Sequence, residues 1–288
     1  MKYACMDRNR DRYSIQLMCR LLEVSRSGYY ASKTRPESAR SKRDRELMRE
    51  IKKAHEESKG VYGSPRVKAE LADKGYKVGR NRVAKLMRME RLRGIPKRSY
   101  HSTTQSDPSH SVAKNKLKQD FSTDRPNQVW VADMTYVPTN QGWLYLSVVI
   151  DLYSRKVVGW SMSQWMNRHS VVKALQMAVE AREPSAGLIH HSDRGAQYTS
   201  DDFREELIEH NIECSMSGTG NCYDNAVAES FFGLMKRERI NRTQYRTRDE
   251  ARADIFDYIE VFYNKKRRHG YLGNMSPTDF EDQTERFL

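Results

Sequence analysis

Three carboxylates stand where the surrounding sequence is apolar. Asp133 lies inside QVWVADMTYVP, Asp193 ends GLIHHSD beside His190 and His191, and Glu229 follows Ala226 and Ala228 in YDNAVAESFFGLMKRE. An unpaired carboxylate is costly to bury. A single buried Asp is commonly a structural hydrogen-bond acceptor, and it is the joint pattern that points further. Three carboxylates together remain ionised only around a compensating cation, and hard oxygen donors suit Mg²⁺, with Mn²⁺ as substitute. Two such ions roughly 3.5–4 Å apart stabilise both the attacking and the leaving oxygen of a phosphoryl transfer. Asn225, Glu229 and Lys236 are spaced i, i+4 and i+11, so they share one helix face. Asp151 also ends an apolar strand. With a turn near residue 140, position 133 faces about 147, which leaves Asp151 four residues along, roughly 13 Å away. It is therefore assigned a structural role.

The elements that must position these acids alternate. QVWVADMTYVP, WLYLSVVIDLYS and KVVGWSMS read as three strands in a meander. An amphipathic helix over His169–Ala181 follows, then the strand GLIHHSD, a helix over Thr199–Asn211, the strand IECSMS, the flexible loop SGTGN and the helix that carries Glu229. The order β-β-β-α-β-α-β-α implies an α/β layer in which the three acids meet at one sheet edge. Arg248–Tyr263 adds a last helix, with Ile255, Ile259 and Phe262 at i, i+4, i+7, and the basic cluster KKRRH (Lys265–His269) follows it.

The 288-residue chain carries a formal charge of +13, unevenly spread. Lys and Arg outnumber Asp and Glu by 32 to 15 in residues 1–125 and fall behind by 19 to 23 in residues 126–288. A basic front on a mildly acidic body is the footprint of a nucleic-acid partner. Residues 14–32 read as two short helices N-capped by Ser14 and Ser25. Arg43–Glu57, with Leu47, Ile51 and Ala54 in register, precedes a helix with Ser64 as N-cap and Pro65 at its first helical position, ended by Gly75. A third helix, Gly79–Leu92, carries Arg80, Arg82, Lys85 and Arg88 outside Val83, Leu86 and Met87. Two helices joined by a short turn, the second basic, form the helix-turn-helix pattern, whose second helix enters the DNA major groove. No run of about 18 apolar residues exists to span a membrane, and the N-terminus lacks the apolar stretch of a signal peptide. The four cysteines form no CxxC pair, and His210, Cys214 and Cys222 match no zinc spacing, which suits a reduced cytoplasmic setting.

WVADMTYV, HSDRGAQY and YDNAVAESFFGLMKRE, with 35 residues between Asp193 and Glu229, resemble the DDE core of insertion-sequence-3 family transposases. RLLEVSRSGYYAS, YGSPRVKAEL and YNKKRRHGYLGNMSP extend the resemblance over nearly the whole chain. The resemblance implies a ribonuclease H-like, retroviral-integrase-type core and metal-dependent cleavage at the ends of a mobile element. Strand transfer by the freed 3′ hydroxyl follows, with Asp133, Asp193 and Glu229 holding two metal ions once DNA is bound. Lys236 matches the family lysine expected on the element's terminal DNA, and Asn225 matches the Asn of the YDN motif. The family's full transposase is commonly a fusion made by frameshifting, and this chain resembles the downstream frame. The resemblance thus implies an upstream-frame partner, a homo-oligomer when active, and a bacterial cytoplasmic, nucleoid-bound location.

The expected organisation is a helical segment at 1–42, a helix-turn-helix domain at 43–95, a linker at 96–125, the catalytic core at 126–240, and a C-terminal helix with a basic tail at 241–288. Two other functions fit the residues: a DNA-binding regulator of the element, inert in this frame alone, and a ribonuclease H-type nuclease that only hydrolyses.

Overall fold

The computed structural model describes residues 2–34, 36–96, 113, 115–117, 122–218 and 225–285. Cys222, the SGTGN loop beyond Gly218, the Tyr and Asp of YDN, and most of the expected linker lie outside the described residues. The chain divides into two compact units, Met1–Lys52 and Lys53–Leu288.

The first unit contains α1 (Lys2–Arg8), α2 (Ile15–Leu21), α3 (Arg26–Thr34) and the start of α4 (Ala39–Glu57). Met6, Met18, Cys19 and Tyr29 form its small core. Both expected caps form: Ser14 Oγ accepts from the Leu17 N–H and Ser25 Oγ from the Gly28 N–H. Helix α1 has no counterpart in the sequence reading. Its KYACMDR offers one buried residue, Met6, which is too short a pattern to show a period.

In the second unit, α5 (Ser64–Asp73) and α6 (Arg80–Met89) pack on one another. Their cap residues are Gly63 and Gly79, so Ser64 is the first helical residue rather than the cap. Gly75 ends α5 with φ +83°, a conformation that favours glycine. The α/β layer is a five-stranded sheet of β1 (Val129–Thr139), β2 (Gly142–Asp151), β3 (Val157–Ser163), β4 (Ile189–Ser192) and β5 (Glu213–Met216), in the order β3-β2-β1-β4-β5. β1–β2 and β2–β3 are antiparallel, β1–β4 and β4–β5 parallel. α7 (Arg168–Arg182) and α8 (Asp201–Glu209) cover one face, where Trp130, Ala132, Val149, Leu175, Phe203 and Leu207 share a core. β3 comes so close to α7 that a Cβ on Gly159 would stand 2.1 Å from the Ala174 carbonyl oxygen.

The tight turn at Asn140–Gln141 sets the β1–β2 register one residue away from the expected one: Asp133 faces Val148, and Asp151 faces Trp130. Asp151 remains structural. It is fully buried, accepts N–H bonds from Asn127 (2.7 Å) and Tyr153 (2.8 Å), and stands 3.6 Å from Arg182.

The C-terminal part differs most from expectation. α9 (Ala226–Glu238) and a 3₁₀ turn precede α10 (Arg248–Phe256), which continues as a π-helix over Asp257–Tyr263 rather than as one uniform helix. α11 (Pro277–Glu285) has only Phe280 as a large apolar residue, so no helical stripe announced it. The KKRRH cluster is not a tail. Arg267 is buried against Glu238 at 2.7 Å, with Tyr258 donating to the same carboxylate. Arg268 bonds Glu70 (2.6 Å) and Asp73 of α5, and Tyr62 donates to the Lys266 carbonyl.

Candidate active site

The parallel ladder places the first two acids. β1 and β4 pair as Val129–Ile189, Trp130–His190 and Val131–His191. Asp133 and Asp193 each lie two residues past the last of these pairs, Asp193 just beyond the end of β4, and the Asp193 charge is felt at Asp133. Pattern and burial agree with this. Val131, Thr135 and Val137 are buried on the side of β1 that Asp133 shares, away from the face that α7 and α8 cover. Each acid spends one oxygen on its own neighbourhood: Asp133 Oδ1 accepts from the Met134 N–H at 2.7 Å, and Asp193 Oδ1 from the Gly195 N–H at 2.9 Å.

Glu229 comes from the first turn of α9, which packs against β1. Ala228, Phe231, Phe232 and Met235 bury the inner stripe of that helix, which leaves Glu229 and Lys236 half-buried beside it. Asn225 is the N-cap residue. It is buried, and its Nδ2 donates to the Ala132 carbonyl at 3.1 Å, tying the start of α9 to the residue before Asp133. Its Oδ1 is buried with no hydrogen-bond partner among the described residues.

The electrostatics tie these groups into one site. Burial first, then the charges of Asp193 and Glu229, push the Asp133 carboxyl up to about 8, against the opposing pull of the Met134 N–H and Lys236. Asp193 is raised as well by the protein atoms packed around it, although its surface is exposed and that of Asp133 is half-buried, so solvent moderates both shifts. Lys236 is lowered by burial and supported by the Asp133 charge. A site that strains to ionise its carboxylates is one in need of a cation. The oxygen donor set has the chemistry of a Mg²⁺ or Mn²⁺ site. As placed here, however, no three acid, His or Cys side chains among the described residues are gathered to hold one ion.

The neighbouring histidines are not part of that donor set. His191 is held between Ser215 Oγ (2.9 Å) and Ser217 Oγ (3.2 Å). His190 is buried against the Tyr198 and Phe203 rings, and burial lowers it to about 3. Arg194 donates to the Ser217 carbonyl at 2.7 Å and so fixes the loop after Asp193. Tyr198 was missed. It is buried close enough to feel Asp133 and Asp193, and the only signal was its place in HSDRGAQY. Arg80, Lys85 and Arg88 are exposed on α6 and Arg82 is half-buried, all on an element separate from the acids.

An integrase core domain model matches residues 123–222, a second integrase core domain model matches residues 229–284, and an HTH-like domain model matches residues 42–100. The transposase InsF of insertion sequence IS3A from Escherichia coli K12 is 42% identical over 286 residues, spanning 98% of this chain and 99% of that one. The chain belongs to the IS3 transposase family. A second family relative, the insertion element IS600 uncharacterized 31 kDa protein of Shigella sonnei, is 46% identical over 266 residues, 92% of this chain and 98% of its own. The IS3 transposase chain also resembles the HTLV-2 integrase catalytic core domain solved in complex with magnesium, at 17% identity and a TM-score of 0.43 over 55% of this chain and 97% of that one. The mixed sheet with its flanking helices and the integrase core matches make the fold ribonuclease H-like, with a helical HTH-like region before it. No described helix is long and apolar enough to cross a membrane.

Proposed function

We propose that this IS3-family transposase cleaves DNA at the ends of its element and joins the freed 3′ ends to target DNA, using Asp133, Asp193 and Glu229. The observation that carries the proposal is that Asp133 and Asp193 both lie two residues past the last β1–β4 pair, with the Asp193 and Glu229 charges both felt at Asp133. Divalent ions held by these carboxylates, two of them when DNA is bound, would supply Lewis-acid stabilisation to the attacking and leaving oxygens. The protein's own part is to hold Asp133 and Asp193 just past the end of the β1–β4 ladder and to bring Glu229 in from α9. Lys236 presents a cation to the phosphates of the terminal DNA, and Asn225 positions the helix start. Arg80, Arg82, Lys85 and Arg88 on α6 meet DNA phosphates and base edges. Two ends processed together call for a homo-oligomer, with an upstream-frame protein as a further partner in the bacterial cytoplasm.

One observation favours a second reading: the three acids are not gathered around one ion position in this structure. A DNA-binding regulator, inert in this frame alone, would look the same. The deciding experiment incubates the protein with Mg²⁺ and duplexes carrying the element's terminal repeats, and scores binding, nicking and joined products. The transposase reading expects nicking and joining by the wild type and neither by Glu229→Gln, with binding equal in both. Binding without nicking by the wild type would establish the regulator instead.

A further inference from the structure

The β1–β2 ribbon outruns the rest of the sheet. β4 stops pairing with β1 at Val131, and β3 stops pairing with β2 at Tyr145. Beyond those points the two strands pair with each other as far as Thr139–Gly142. One face of this extension carries Val137 and Leu144, both buried, and α10 packs against both strands. The tip is held as well: Asn140 N donates to the Tyr245 carbonyl at 3.0 Å, and Arg248 Nε to the Trp143 carbonyl at 3.1 Å. The opposite face presents Tyr136, 51% exposed, and Trp143, 49% exposed, with ring centroids 4.8 Å apart at 75°. Two large aromatic rings are thus fixed on a braced ribbon and open to solvent.

Charge and position indicate the occupant. Lys236 Nζ lies 5.1 Å from the Tyr136 ring centroid, and the same lysine is close enough to Asp133 to feel its charge. Tyr136 is three residues along β1 from Asp133, about 10 Å at 3.3 Å per residue, and its side chain leaves the opposite face of the strand, with Lys236 close to both. Aromatic faces take any nucleobase, and an adjacent cation meets the backbone that carries it. We propose that Tyr136 and Trp143 form a stacking platform for an unpaired nucleobase beside the scissile phosphate, with Lys236 on the backbone of the same strand. The platform rests on the reading of Asp133, Asp193 and Glu229 as a DNA-cleaving site. A pair that serves only to stabilise the hairpin across its strands makes different predictions.

The test uses the full chain and an element-end duplex whose last three base pairs are mismatched, with 2-aminopurine in the unpaired strand. Tyr136→Leu and Trp143→Leu keep apolar bulk on the ribbon and remove the flat ring; Tyr136→Phe keeps the ring. The wild type and Tyr136→Phe are expected to quench the fluorophore. Each Leu variant loses the quenching and binds the frayed end about 5- to 100-fold more weakly, with unchanged affinity for the fully paired end and an unchanged melting temperature. Quenching and frayed-end binding by both Leu variants at wild-type levels would overturn the platform, as would a loss of affinity equal on frayed and paired ends. Cleavage of the same duplex by the wild type is scored in parallel. Its absence would count against the cleavage reading, while the quenching comparison still decides the platform.

Discussion

The side-chain amide of Asn225 donates to the carbonyl of Ala132 at 3.1 Å, so the catalytic-type helix α9 is fastened to the residue that precedes Asp133. The two acids contributed by β1 and α9 are thereby held through one neutral hydrogen bond in a buried setting. Asn225→Ala removes it. Misplacing a reacting group by about 1 Å costs about 100-fold in rate, so we expect a 10- to 100-fold loss of end nicking with DNA affinity within twofold of the wild type. A gel-shift assay and a nicking assay on the same duplex check both halves.

The raised Asp133 carboxyl makes stability depend on pH in a defined direction. An ordinary unfolded Asp titrates near 3.9, and folding moves this one up to about 8. Between those values the folded state holds the extra proton, so this group's contribution to stability falls as pH rises through that window. Without divalent ions, Asp133→Asn is expected to melt higher than the wild type at pH 8, by about 2–4 °C per kcal/mol relieved, and the difference shrinks toward pH 4. Added Mg²⁺ stabilises the wild type and not the variant, with proton release on binding below pH 8. Differential scanning calorimetry across pH, with and without Mg²⁺, measures each of these. A wild type that melts lower at pH 5 than at pH 8 by the amount seen for Asp133→Asn would remove the argument.

Glu238 and Arg267 form a buried ion pair in which each side chain is 2% exposed. Arg267 holds Glu238 well below the usual carboxylate range despite burial. Removing one partner strands the other, at a typical cost of 3–5 kcal/mol. Glu238→Ala and Arg267→Ala should each show a large drop in denaturation midpoint, while Glu238→Leu/Arg267→Met recovers much of it. A double variant no better than the singles would mean that the network, including the Tyr258 hydroxyl, matters more than the pair.

The exposed cations of α6 make a prediction about salt. Arg80→Gln, Lys85→Gln and Arg88→Gln each remove a candidate phosphate contact. Each should reduce the slope of log affinity against log salt by about 0.9 on duplex DNA. Fluorescence anisotropy from 50 to 200 mM salt reads the slope directly. An unchanged slope in the triple variant would place the DNA elsewhere.

The order of strands and helices along the chain was legible because its signals are local. Apolar runs of strand length alternate with helical stripes such as Val171, Leu175 and Ala178 of α7, and turn residues punctuate them. The three acids stand out in the sequence because each interrupts an apolar pattern. The exact pairing was not, since one residue more or less in the turn at Asn140–Gln141 shifts every partner. The fate of KKRRH was hidden for a different reason. Its arginines look like a solvated cluster until Glu238, Glu70 and Asp73 meet them from distant parts of the chain. α11 was unreadable because its one large apolar side chain sets no period, and it is placed by Glu281, which pairs with Lys156 and Arg182.

That same KKRRH segment has a geometric consequence. Arg267 grips the end of α9, and Arg268, the very next residue, grips α5 of the helix-turn-helix. Under the proposed function, the DNA-reading and DNA-cutting parts are bolted to consecutive residues of one backbone, as the two jaws of a caliper are to its bar. These two contacts would then set how many base pairs separate the sequence α6 engages from the phosphate presented to the acids. Inserting a single base pair between them displaces that phosphate by about 3.4 Å, farther than a fixed-jaw instrument can follow.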